Sequence, residues 1–171
     1  SGFPTHANVL RLDTLGDFRD PASFTAYDAS RTQGLDTRGF YGAVYDGRWV
    51  YFVPRQIDME LYHSRVLRLD TQSDFHDPAS WSSQDVGEEH SQQSAAFDGR
   101  YVYYVPRFDG ETLHSRVLRL DTRADFGNDS SWAAFDAGRP ISCQGAAFDG
   151  RYIYFAPGMH QEEGASGWVL R

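Results

Sequence analysis

Lysine is absent from the 171-residue chain, cysteine occurs once and methionine twice. With Cys143 alone, no intrachain disulfide and no cysteine-rich metal site can form. The 16 basic residues, all arginine, face 24 acidic ones, for a net charge of -8. That balance argues against nucleic acid as a partner, because phosphate binding needs a basic face. No run approaches the roughly 20 apolar residues of a membrane helix, so no membrane partner is expected. A 3.6-residue apolar period is missing too. What the chain does hold is aromatic: 12 Phe, 10 Tyr and 4 Trp, residues that fill pleated surfaces.

These aromatics recur in register. Asp46, Asp98 and Asp149 are equivalent, at spacings of 52 and 51 residues. Each follows a small-residue run, such as Gly145-Ala146-Ala147-Phe148, and each precedes a glycine and an aromatic run ending at Pro54, Pro106 or Pro157. A Val-Leu-Arg-Leu-Asp-Thr run then begins at Val9, Val66 and Val117 and restarts at Val169, and Phe24, Trp81 and Trp132 open a further short strand. A fixed period of this length is the signature of a repeat architecture and decides the fold class first. Each unit predicts four short strands, and the class is all-β.

The Asp-Gly pairs between alternating apolar runs predict type I′ hairpin turns. The prolines are expected to end the second strand, since they donate no ladder hydrogen bond. Asp-rich loops such as Asp70–Asp77 are expected to cap turns through their side chains rather than to bind calcium. Arg11, Arg68 and Arg119 on the third strand are expected to form ion pairs between units with recurrent aspartates. The loop at residues 30–39, five residues longer than its counterparts, is a local elaboration of the kind that carries function.

The small first strand, Asp-Gly turn, aromatic second strand, Val-x-Arg-x-Asp third strand and later tryptophan resemble the kelch family. In kelch repeats the second strand ends in Gly-Gly; here it ends in Val53-Pro54, Val105-Pro106 and Ala156-Pro157. The resemblance implies a β-propeller with three four-stranded blades per chain. Residues 1–171 then form a single half-propeller domain: a half-blade and connecting loop at 6–41, blades at 42–87 and 94–138, and a half-blade at 145–171. Propellers close with roughly four to eight blades, so three would leave exposed strand edges. Exchange of the terminal half-blades between two copies would close six blades as a homodimer. The start at Ser1-Gly2 reads as a processing or expression scar, and the stop at Val169-Leu170-Arg171 inside a repeat suggests an excised or engineered segment.

By the same resemblance, ligands meet the face formed by the loops from second to third strand and from fourth strand to the next first strand. Arg55, Arg107, Phe108, Arg38, His90, Gln93, Arg139 and Gln144 fall there, a set suited to a glycan, a carboxylate or a peptide. His6, His63 and His114 are equivalent but belong to separate units, so each is expected to bond a neighbouring loop and no metal is expected. No nucleophile elbow, zinc-binding helix or phosphate loop is present. Neither catalytic residues nor a cofactor are therefore expected. The chain reads as a non-enzymatic binding or scaffold module, with a lectin and then a glycan-acting enzyme as alternatives.

Overall fold

The computed structural model describes residues 5–58, 61–87, 91–109, 111–139, 141–162, 164, 165, 167, 169 and 170. The chain is all-β and built from several antiparallel sheets. Strands β1 (Asn8–Leu12) and β2 (Phe24–Asp28) form a two-stranded sheet with Val9 opposite Tyr27. A small hairpin of β3 (Arg31–Thr32) and β4 (Leu35–Asp36) follows. Then come two four-stranded meanders. The first contains β5 (Phe40–Tyr45), β6 (Trp49–Pro54), β7 (Arg65–Asp70) and β8 (Trp81–Asp85). The second contains β9 (Ser91–Phe97), β10 (Tyr101–Phe108), β11 (Arg116–Asp121) and β12 (Trp132–Asp136). Last are β13 (Ile141–Phe148), β14 (Ile153–His160) and β15 (Gly164–Ala165).

The repeat fixes the register. Phe52 pairs with Leu67 and Tyr104 with Leu118, and the equivalent Phe155 bridges Leu170, its N–H donating to the Leu170 carbonyl at 2.9 Å. The opening strands β5, β9 and β13 lie side by side in chain order. Strand β6 is apolar on both faces because both are covered. In β6, Tyr51 and Val53 turn toward the following sheet with Val102, Leu118 and Phe126. Val50 and Phe52 turn to the preceding one, where Leu67, Phe75 and Trp81 of their own sheet meet Val9 and Tyr27. Alternation along a strand sends neighbours to opposite faces, so one strand contributes to two core layers. A third, smaller layer of Val105, Cys143 and Phe155 lies against β13. Burial there pushes the Cys143 thiol up to about 11.

Local turn chemistry differs from expectation in three places. At the Asp-Gly hairpins only the glycine has positive φ (Gly47 at 106°), whereas Gln33 at 51° and Gly34 at 84° supply both positive angles in the β3–β4 turn. The type I′ signature therefore belongs to Gln33-Gly34. Asp46 instead accepts at Oδ1 from the Arg48 and Trp49 N–H groups and at Oδ2 from the Tyr51 hydroxyl. Asp98 and Asp149 repeat the clasp with Tyr103 and Tyr154.

Proline does not end every second strand: β10 and β14 run past Pro106 and Pro157. Register shifts at both prolines take up the missing donor as bulges.

The third-strand arginines stack on aromatic rings and make no ion pair among the described residues. Arg68 lies 3.9 Å from the Trp49 ring centroid and 4.0 Å from that of Phe126, and Arg11 lies 4.3 Å from that of Phe75. The aspartates that end these third strands pair with the turn arginines, Arg48 to Asp70 at 2.6 Å and Arg100 to Asp121 at 2.7 Å. The Asp-rich loops do cap turns, as Asp74 and Asp77 accepting from the His76 and Ala79 N–H groups illustrate.

Candidate functional site

The Asp-Gly turns and the Asp-rich loops meet at one end of the sheets. There Thr71 and Thr122 donate to the carbonyls of Arg48 and Arg100. Every polar group in these contacts serves the turns. The candidate residues gather where the second strands leave and the first strands of the following sheets begin. Arg55, just beyond β6, donates from Nη1 to Oε1 of Gln93 on β9 at 2.8 Å. Its guanidinium lies 3.7 Å from the centroid of the Tyr41 ring. One unit later, Arg107 on β10 donates to Oε1 of Gln144 on β13 at 3.3 Å. Burial, and then the Arg107 guanidinium, lower the Arg55 pKa, so the two cations are electrostatic neighbours. The Nε of Arg55 and the Oε1 of Gln92 are buried without a partner among the described residues.

Four of the sequence-predicted residues thus form a ladder: Arg55, Gln93, Arg107 and Gln144. Phe108 stands beside it with its ring edge-on to Tyr62 at 5.3 Å. Arg38 is engaged elsewhere, bidentate to Asp36 with both bonds at 2.7 Å. Arg139 lines a recess with His114, Arg116 and Asp136. His90 lies outside the described residues. Tyr41 and Tyr62 escaped the sequence reading. The available signal was that Tyr41 stands where the next two units carry Gln93 and Gln144, a departure from the repeat beside Arg55.

His63 is a structural residue. Its Nε2 lies 2.8 Å from the Arg38 carbonyl oxygen, and its Nδ1 accepts from the Arg65 N–H at 3.2 Å. Those partners select the neutral tautomer protonated on Nε2. Burial is the main reason its pKa lies below the ordinary 6.5, partly offset by the Arg38 carbonyl. The unfolded chain therefore takes up the proton first as pH falls, and stability declines below about 6.5. The Asp36, Asp70 and Asp121 carboxyls, held low mainly by hydrogen bonds from their arginine partners, start to lose their contribution only near the ordinary 3.8. Urea midpoints are expected to fall between pH 7.5 and 5.5, and His63→Gln to flatten that slope. An unchanged slope in the variant would contradict the assignment.

Among the described residues no group of three or more His, Cys, Asp or Glu is arranged to hold a metal ion. The insertion at 30–39 braces β8: Gln33 Oε1 accepts from the Ser83 N–H at 3.0 Å, and the Ser83 hydroxyl donates to the Thr32 carbonyl at 2.7 Å. Comparison with known proteins adds no family: neither a family model nor a curated protein sequence matches the chain. Among the described residues the ladder brings together cations, amides and aromatic rings, groups suited to a polar or planar ligand.

Proposed function

We propose that this chain is a kelch-like half-propeller that pairs with a second copy into a six-bladed ring and serves as a non-enzymatic binding or scaffold module. The observation that carries this reading is the order of the sheets. Strands β5, β9 and β13 lie side by side in sequence, and each meander packs its faces on its neighbours. The terminal sheets are complementary halves: β1 and β2 match third and fourth strands, and β13 and β14 match first and second. Joining them twice between two copies satisfies both edges under two-fold symmetry. The Arg55–Gln93 and Arg107–Gln144 pairs, repeated around such a ring, form the ligand-facing mouth.

Light scattering coupled to size exclusion is expected to give twice the 19.4 kDa chain mass. A well-folded particle of 19.4 kDa would overturn the reading. A lectin is the second reading, favoured by the Tyr41 ring beside the planar Arg55 and Gln93 groups. A glycan array in which the intact particle binds no sugar removes it.

A further inference from the structure

One aromatic residue recurs in every Asp-rich loop, and its burial depends on whether a preceding sheet exists. Phe75 is 2% exposed and Phe126 3%, while the equivalent Phe18 is 72% exposed. Phe126 reaches back onto the preceding meander, its ring 6.3 Å from Tyr51 and 4.0 Å from the Arg68 guanidinium. Phe75 does the same to Arg11 and Tyr27. Leu10 follows suit, 65% exposed where Leu67 and Leu118 are buried.

The matching deficit lies at the other end of the chain. Tyr103 and Arg119, the counterparts of Tyr51 and Arg68, border an open groove of about 440 Å³ with Phe135, Ile153 and Phe155. Phe135 is 75% exposed. Its counterpart Tyr27 stacks on Trp81 of the following sheet at 4.8 Å, and the residue equivalent to Trp81 in the first sheet is Phe24. Phe18 and Phe24 are already in contact at 6.1 Å, as Phe75 and Trp81 are at 5.6 Å.

We infer that the groove between β11–β12 and β14 is the socket for the β1–β2 hairpin of a second copy. Phe18 of that copy enters between Tyr103 and Arg119, and its Phe24 stacks on Phe135. This rests on the paired-ring reading and names the contacts that close it. Charge agrees with shape. Arg48 and Arg100 each meet the aspartate that ends the third strand, while Arg151 has no ion pair among the described residues. In the same register the second copy's Asp13 faces Arg151. Leu170 now holds one bridge on β14; a five-residue β1 supplies a full ladder in its place and displaces it.

The test uses two variants of the full chain, Phe18→Asp and Phe135→Asp, studied alone and mixed, by light scattering and analytical ultracentrifugation. Both positions are exposed, so circular dichroism is expected to be unchanged. Each variant alone is expected to pair at least about tenfold more weakly than the parent chain, as for loss of a central aromatic anchor. Mixed together they are expected to pair again, because one joint then joins an intact Phe18 to an intact Phe135. If the parent chain pairs and both variants pair equally well, the socket is wrong while the ring reading stands. If the variants fail alone and the mixture does not recover, the socket is also wrong. If the parent chain is a 19.4 kDa particle, both fall.

Discussion

Phe126→Ala is expected to lower the stability of the folded chain by about 3–5 kcal/mol, the range for truncating a well-packed aromatic. The ring is buried between two meanders, against Tyr51 on one side and 5.5 Å from Trp132 on the other. Truncation opens a cavity, and it also uncovers Arg68, whose pKa burial already depresses. That guanidinium is held between Trp49 and Phe126, a stack worth about 0.5–2 kcal/mol. Guanidinium unfolding followed by tryptophan fluorescence would measure the loss, and a cost under about 1 kcal/mol would contradict the layered packing. The comparison within the chain is sharper still. Phe18→Ala removes the same ring from the same loop, yet is expected to change stability by less than about 0.5 kcal/mol when the copies are held apart by dilution.

Gly39→Ala should cost about 2–5 kcal/mol, despite adding one methyl group. Gly39 has φ of 75°, a region where a Cβ costs about 1–2 kcal/mol. A Cβ there would also stand 1.6 Å from the Gln56 carbonyl oxygen, and relieving that overlap moves backbone at a further cost of about 1–3 kcal/mol. The close approach is functional for the fold: the Gly39 carbonyl accepts from both the Arg55 and Gln56 N–H groups. It thereby fixes the backbone that carries Arg55 toward Gln93. Gly34→Ala serves as the control, since φ is 84° but nothing lies within 4 Å of its Cβ. It should show the conformational cost alone. Equal melting temperatures for the two variants would contradict the contact.

The repeat made the strands legible from the sequence. Spacings of Asp46, Asp98 and Asp149 carry straight into the registers Phe52–Leu67 and Tyr104–Leu118, because alternation and period are backbone properties. Turn detail was less legible. An Asp-Gly pair is equally compatible with aspartate inside the turn or bracing it, and only the Tyr51, Tyr103 and Tyr154 hydroxyls, five residues on, decide for the brace. The partners of Arg68 were hidden for a related reason. The registers place it between Tyr51 and Ser82, and the rings of Trp49 and Phe126 that flank it come from another strand and another sheet.

Arg55, Gln93, Arg107 and Gln144 were found by position in the repeat, and they meet in pairs. Arg38 was found by the same logic and is taken by Asp36, two residues away inside an insertion that the other units lack. Repeat position predicts well where the repeat is kept. Where it is broken, local chemistry takes over.

Electron microscopy of the particle in solution tests the central proposal most directly. Class averages are expected to show six four-stranded sheets around one channel, with two-fold symmetry. An open arc of three sheets, or two arcs joined through any surface other than the terminal strands, would contradict it.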